Sequence, residues 1–162
     1  MPVDAEAFRA ALSRWASGVA IVTSRAGDHV HGMTVSAFSS VSLVPPLVLV
    51  CADKSSNTLG VIDAGGCFAV NVLAAGQEAL SNRFASKQDE HRRFEGLETR
   101  RGETGAPLLP GALVALDCRV VAAHDAGDHV IYVGEVASAE LGEGEPLLHY
   151  AGRYRGMVQE PA

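Results

Sequence analysis

The sequence predicts one domain of mainly antiparallel β structure, a closed barrel with helices at its periphery. Three observations favour this class. The chain has six or seven short β-rich segments, Gly-Asp turns join some of them, and the segments with helical spacing are short. The chain lacks the regular strand-helix alternation of a parallel sheet and the G-x-G-x-x-G fingerprint of dinucleotide-binding domains. Its 162 residues fit a single domain, 1–162.

The first half of the chain predicts a helix, a hairpin and a buried strand. Apolar residues recur at helical spacing over Asp4–Trp15, and the aspartate is a suitable N-cap. Val19–Ser24 and Val30–Phe38 have strand composition and are joined by the turn residues Gly27-Asp28, which predicts a hairpin. Leu47–Cys51 is apolar throughout and predicts a buried strand.

The second half continues with two short helices and a long hairpin. The polar loop before Leu59 offers N-caps for a helix that ends at Gly65-Gly66. The remaining predicted elements are a strand at Cys67–Leu73, a helix at Gln77–Ala85, a charged loop at Lys87–Arg93 and a hairpin formed by Leu113–Ala123 and Val130–Leu141.

Composition excludes several classes of function. Thirteen basic and nineteen acidic residues give a net charge of −6 without a basic cluster, which disfavours nucleic-acid binding. No apolar run reaches the length of a membrane span, and the N-terminus lacks a signal-peptide pattern, so we expect a cytoplasmic protein without membrane contact. Cys51, Cys67 and Cys118 have no paired spacing and lie in apolar runs, so we interpret them as buried thiols.

Two segments have the composition of a ligand site. Gly32–Ser42 is rich in hydroxyl side chains yet strand-like, so a flat ligand with hydrogen-bonding edges fits there; an ordinary solvent-facing strand explains the same pattern. Lys54–Thr58 precedes a helix, where backbone N–H groups, hydroxyls and an ammonium favour a phosphate; a plain N-cap is the alternative. Arg83 on the next helix is suited to the same phosphate or to the surface.

Histidines offer one further candidate. His129 follows the Gly127-Asp128 turn, where it is able to contact a substrate or simply to serve as a turn residue. His29 and His31 alternate onto one face of a strand, but the chain has no H-E-x-x-H motif and no cysteine pair, so we assign no metal site.

Together and in this order, these segments resemble the flavin reductase-like family, the reductase components of two-component flavin-dependent monooxygenases. The likeness runs from about Phe8 to Tyr154. It rests on Gly32–Phe38, Ser40-Val41-Ser42-Leu43 with Pro45-Pro46-Leu47, Lys54–Thr58, Phe68–Leu73, Arg83-Phe84-Ala85, Gly127-Asp128-His129 with Gly134-Glu135-Val136, and Gly152-Arg153-Tyr154. Val44 departs from the acidic residue that many relatives carry before the double proline.

The resemblance implies a split β-barrel, antiparallel and Greek-key-like, with short peripheral helices, assembled as a homodimer with FMN, or FAD, near the subunit interface. It implies that Thr34–Ala37 border the isoalloxazine ring, that Ser55–Thr58 and Arg83 hold the phosphate, and that His129 meets the nicotinamide. The full set of residues assigned to the flavin is Thr34, Val35, Ser36, Ala37, Ser40, Lys54, Ser55, Ser56, Asn57, Thr58, Arg83, Phe84 and Tyr154.

The implied activity is an NAD(P)H:flavin oxidoreductase that transfers hydride from NADH or NADPH to flavin and supplies reduced flavin to an oxygenase. Such hydride transfer depends on positioning rather than on a protein nucleophile. Two alternatives stay open on the sequence: a related split-barrel flavoenzyme that acts directly on an organic substrate, and a non-catalytic flavin- or haem-binding protein.

Overall fold

The fold is mainly antiparallel β, as the sequence predicts. The structure is a computed structural model and describes residues 1–161. Its helices are α1 (Ala5–Leu12), α2 (Asn57–Gly65) and α3 (Glu78–Ala85), with one 3-10 turn at Glu90–Arg92. Its strands are β1 (Ser17–Gly18), β2 (Ala20–Ala26), β3 (His29–Val35), β4 (Phe38–Ser42), β5 (Leu47–Asp53), β6 (Cys67–Val72), β7 (Arg100–Arg101), β8 (Pro107–Leu108), β9 (Val114–Ala126), β10 (His129–Leu141), β11 (Leu148–Tyr150) and β12 (Arg153–Arg155).

Seven of these strands form the main sheet, in the order β3-β2-β6-β9-β10-β5-β4. All its ladders are antiparallel. β3 and β4 are its two edges; they follow each other in the chain but do not pair within the part that the structure describes. The expectation of a closed barrel is therefore wrong, and the split barrel that the resemblance implies is confirmed.

Both predicted hairpins are confirmed. β2 pairs with β3 and β9 with β10, and each turn contains the sequence Ala-Gly-Asp-His-Val. Gly27 and Gly127 have φ values of 58° and 65°, in the left-handed region that glycine adopts without a Cβ penalty. The two hairpins therefore have the same turn residues and the same left-handed glycine.

The interior of the barrel is closed by α2. Ser56 begins this helix by accepting a hydrogen bond from the N–H of Thr58 (3.2 Å), and Gly66 ends it with φ 65°. Ile62 then packs on the inner face of the sheet. The core members with no exposed surface are Val22, Val50, Ala52, Ile62, Phe68, Val70 and Cys118.

A second core lies on the other side of β3, under α3. Phe84 is 1% exposed and packs edge-on against Phe94, with ring centroids 5.2 Å apart. A Cβ on Gly32 would lie 2.9 Å from Phe84 Cε1, so the glycine allows α3 to approach the strand. The other members are Val19, Ile21, Leu73, Leu109 and Leu147.

The helix α1 is shorter than predicted and is not part of either core. Asp4 caps it, accepting from the N–H of Ala7 at 2.8 Å, but the helix ends at Leu12 rather than at Trp15. Phe8, Leu12 and Trp15 are 55%, 53% and 76% exposed. Its apolar side is therefore uncovered in the single chain.

The cysteines and the charged loop differ in detail from the sequence prediction. All three cysteines are free thiols, but only Cys67 and Cys118 are buried, whereas Cys51 is half-buried. The predicted loop at Lys87–Arg93 contains the 3-10 turn, which begins after Asp89 in the left-handed region. None of the helices in residues 1–161 has the length and apolar character that crossing a bilayer requires.

Candidate flavin site

The strand β3 separates the predicted site residues into two groups. At its end, Thr34, Val35 and Ser36 border a concavity of about 250 Å³ between β3, α3 and the C-terminal strands. We call this concavity the β3-end pocket. Its lining residues are Val19, Thr34, Val35, Ser36, Ser81, Ala85, His149 and Tyr154.

Hydrogen bonds to α3 hold the walls of the β3-end pocket. The Thr34 hydroxyl donates to the carbonyl oxygen of Ser81 at 2.6 Å. The Tyr154 hydroxyl lies 2.8 Å from both Ser81 Oγ and Asn82 Oδ1, and its ring stands edge-on to His149. Tyr154 thus belongs to the same pocket as Thr34, although 120 positions separate them in the chain.

A second concavity of about 390 Å³ continues this surface toward α1 and shares Val19, Val35 and Ser36 with the β3-end pocket. Trp15 forms part of its wall. The sequence gives no sign of this position for Trp15, because its helical spacing indicates only that it continues the apolar pattern of a longer α1. Of the other predicted contacts here, Ala37 is exposed beside this surface, while Ser40 lies on the outer edge strand β4 and lines neither concavity.

The second group surrounds the start of α2; we call Lys54, Ser55, Ser56, Asn57 and Thr58 the α2-start cluster. Lys54 Nζ forms an exposed ion pair with Asp125 (3.3 Å). The backbone N–H and hydroxyl of Ser55 both donate to Asp53 Oδ1 at 2.7 Å, and these bonds keep the pKa of Asp53 below its usual value. Four of the five side chains are exposed or half-buried.

Thr58 is the exception. It is 0% exposed, and its hydroxyl lies 2.7 Å from His31 Nδ1. Its side chain supports the first turn of α2 from beneath, and its assignment to the phosphate stays a prediction. The packing of α2 on β3 causes this orientation, and no local sequence signal reports it.

His129 stands beside the α2-start cluster. It begins β10 directly opposite Asp53 of β5, and the Lys54 N–H donates to the carbonyl oxygen of Asp128 at 2.9 Å. Its Nδ1 lies 2.7 Å from Asp128 Oδ1, and the ring is partly exposed. The structure therefore brings together two segments that the sequence singled out, Lys54–Thr58 and Gly127-Asp128-His129, although 68 residues lie between them in the chain.

Comparison with known proteins identifies the family. Residues 12–157 match the model of the flavin reductase like domain. The chain belongs to the flavin reductase-like family. This match covers both the β3-end pocket and the α2-start cluster.

Named relatives of this flavin reductase-like chain agree. An NADH-dependent flavin reductase of Rhodococcus sp is 45% identical over 153 residues, covering 93% of this chain and 85% of the relative. The reductase component of 4-hydroxyphenylacetate 3-monooxygenase from Thermus thermophilus is 42% identical over 154 residues, 94% and 97% of the two chains. The solved NADH:FAD oxidoreductase SgcE6 of Streptomyces globisporus C-1027 superposes with a TM-score of 0.91 at 37% identity, covering 98% and 96%.

Two residues assigned from the family lie away from both groups or below the surface. Arg83 Nη2 donates to the carbonyl oxygens of Arg92 and Glu95 and lines a separate concavity of about 490 Å³ with Ser86 and Gln88. The Phe84 ring packs in the core under α3, and its assignment to the flavin stays a prediction.

Proposed function

We propose that the chain is an NAD(P)H:flavin oxidoreductase that reduces FMN at the expense of NADH and supplies reduced flavin to a partner oxygenase. Family membership carries the activity: the Rhodococcus relative is an NADH-dependent flavin reductase, and the Thermus relative is the reductase component of a monooxygenase. FAD is a second flavin, since SgcE6 is an NADH:FAD oxidoreductase.

The isoalloxazine ring binds at the β3-end pocket and its continuation toward Trp15. Thr34, Val35, Ser36 and Ala37 provide backbone groups and a hydroxyl along one edge, and Tyr154 provides a second wall. The combination of an apolar floor with few polar groups is typical of sites for planar ligands.

The phosphate binds at the α2-start cluster. The first turn of α2, where a helix has N–H groups without intrahelical carbonyl partners, lies at this surface, and the exposed Ser55, Asn57 and Lys54 side chains surround it. This set of neutral donors with one cation fits the phosphate of FMN. Lys54 is free to join it because its ion pair with Asp125 is exposed and weak.

His129 contacts the nicotinamide nucleotide. Bound flavin supplies a ring that accepts hydride, and the chain's own role is to orient the two nucleotides. The imidazole lies at the rim of the α2-start cluster and is held by Asp128, so it is placed to orient a second nucleotide rather than to act as an acid.

The active form is a homodimer. The exposed apolar side chains of Phe8, Leu12 and Trp15 form a patch that a monomer leaves in water, and Trp15 also lines the concavity beside the β3-end pocket. A second copy seated on this patch covers apolar surface and borders the ring site at once. A cytoplasmic location and the oxygenase partner belong to the same proposal.

The placement of the phosphate is tested with Lys54→Ala, using Arg92→Ala, whose guanidinium pairs with Glu95 outside the α2-start cluster, as the control. Loss of the one cation of the cluster weakens FMN binding about tenfold but leaves riboflavin binding unchanged, because riboflavin has no phosphate. Fluorescence titration measures both affinities. Equal losses for FMN and riboflavin would remove Lys54 from the phosphate site.

A further inference from the structure

We propose that His31 is a positioning residue for flavin phosphate: its imidazole fixes the first turn of α2 from beneath and so selects FMN over riboflavin. This inference rests on the proposed function, in which the α2-start cluster binds the phosphate. His31 lies on β3, outside that cluster, and contacts no part of the surface at which the ring binds.

The geometry of His31 makes it a bridge between β3, α2 and the 3-10 turn. The side chain is 7% exposed, and both ring nitrogens have partners. Nδ1 lies 2.7 Å from Thr58 Oγ1 in the first turn of α2, and Nε2 lies 3.2 Å from Glu90 Oε2. The imidazole therefore spans from the helix start to the turn that faces it.

Glu90 extends the bridge to a second residue of the cluster. Its Oε2 accepts a hydrogen bond from Asn57 Nδ2 at 2.8 Å, and its Oε1 lies 3.7 Å from Arg93 Nη2. Arg93 is 5% exposed and donates to the carbonyl oxygens of Gly32 and Ser86. The arginine thus fixes Glu90, and Glu90 together with His31 fixes Asn57 and Thr58.

The surroundings keep His31 neutral. Burial lowers its pKa most, the positive charge of Arg93 lowers it further, Glu90 opposes both, and His29 adds a small decrease. A neutral ring with its proton on Nε2 donates to Glu90 and accepts from the Thr58 hydroxyl, which satisfies all three groups. The ring then acts on the helix start through its hydrogen bonds and not through a charge of its own.

Loss of the imidazole has a consequence that is local to the helix start. The buried Thr58 hydroxyl loses its partner, and Glu90 loses one of the donors that orient it toward Asn57. The N–H groups at the first turn of α2 become less well ordered, which weakens the phosphate contact. The ring site at the other end of β3 keeps its own contacts with α3.

The test measures the affinities of FMN and riboflavin by fluorescence titration for four forms of the full chain. His31→Ala raises the FMN dissociation constant about tenfold and leaves riboflavin unchanged. His31→Gln, whose amide is able to donate to Glu90 and accept from Thr58, recovers most of the loss. His29→Ala is the matched control: this neighbouring, exposed imidazole, with its centroid 6.2 Å from that of His31, leaves both affinities unchanged.

Turnover provides the second readout. With riboflavin as acceptor, kcat of His31→Ala equals that of the wild type, whereas KM for FMN rises. If His31→Ala does not fold, Glu90→Gln is the second variant, because the Glu90 side chain is partly exposed. It shows a smaller loss of affinity that is again selective for FMN.

Three results overturn the inference. An equal loss of FMN and riboflavin affinity in His31→Ala indicates a purely structural role. An unchanged preference for FMN shows that His31 does not act on the phosphate, while the proposed function stands. A wild-type chain that binds riboflavin as tightly as FMN removes the phosphate from the α2-start cluster and overturns this inference, whereas the reductase activity is tested separately by NADH oxidation.

Discussion

The two ends of β3 differ in how much of their environment one chain supplies. At the beginning, His31 and Met33 are 7% and 8% exposed and contact α2 through Thr58 and Ser56. At the end, Ser36 is exposed, and Trp15, an aromatic residue that lines the same concavity, is 76% exposed. From this difference we infer that one chain supplies most of the surroundings of the proposed phosphate end, whereas the proposed ring end has exposed walls that the proposed homodimer would cover.

The largest expected effect contrasts two aromatic residues on either side of this divide. Phe84→Ala empties a buried position against Phe94 and costs about 3–5 kcal/mol of unfolding free energy. Trp15→Ala changes the stability of the single chain by less than about 0.5 kcal/mol, since the indole is uncovered. Urea unfolding under dilute conditions measures both. Similar losses of unfolding free energy for the two substitutions would contradict this difference between the buried and the exposed aromatic residue.

The next effect concerns assembly. Leu12→Glu places a charge in the exposed apolar patch on α1 and raises the dimer dissociation constant at least about tenfold, which corresponds to about 1.4 kcal/mol. Ala10→Glu, on the opposite side of the same helix, is the control and leaves the dimer intact. Sedimentation velocity over a range of concentrations measures the shift. A wild-type chain that stays monomeric would contradict the homodimer.

A smaller effect is expected on the KM for NADH. His129→Ala removes one orienting contact and raises KM for NADH roughly two- to tenfold, with a lesser change in flavin affinity. His124→Ala, an exposed imidazole on the same hairpin, serves as the control. Steady-state kinetics at saturating FMN provide both constants. A larger loss of flavin affinity than of nicotinamide affinity would reassign His129 to the flavin.

The smallest effect is on pH dependence of stability. The folded-state pKa of His31 lies below its ordinary value of 6.5. As pH falls through 6.5, the unfolded chain therefore binds more protons at this imidazole than the folded chain does. The wild type therefore loses stability from neutral pH toward pH 5, and His31→Gln loses less. Glu90 stays ionised in this range, since its pKa is lowered chiefly by the Asn57 amide. Parallel stability curves for the two proteins would contradict a buried neutral imidazole.

Local signals in the sequence predict most of the fold. The hairpin turns at Gly27 and Gly127 and the ends of α2 at Ser56 and Gly66 are where the residues predict them, because each depends on backbone preferences within a few positions. The break between β3 and β4 was not predicted from residue patterns, since strand pairing is a long-range property; only the resemblance implied it.

The site is less predictable, because its side chains are oriented by contacts between distant segments. Thr58 and Phe84 were expected to contact ligand but face inward, owing to the packing of α2 and α3 on β3. Glu90 was missed because nothing in a charged loop indicates that it meets His31 across 59 positions. For His31 the sequence indicates only that it shares a strand face with His29.

The central claim, that this chain reduces free flavin with a nicotinamide nucleotide, is tested most directly by following NADH absorbance with and without added FMN. We expect little oxidation by the protein alone and steady oxidation that saturates with FMN, with NADPH and FAD compared in parallel. A protein that retains flavin yet fails to oxidise NADH or NADPH under any of these conditions would contradict the account.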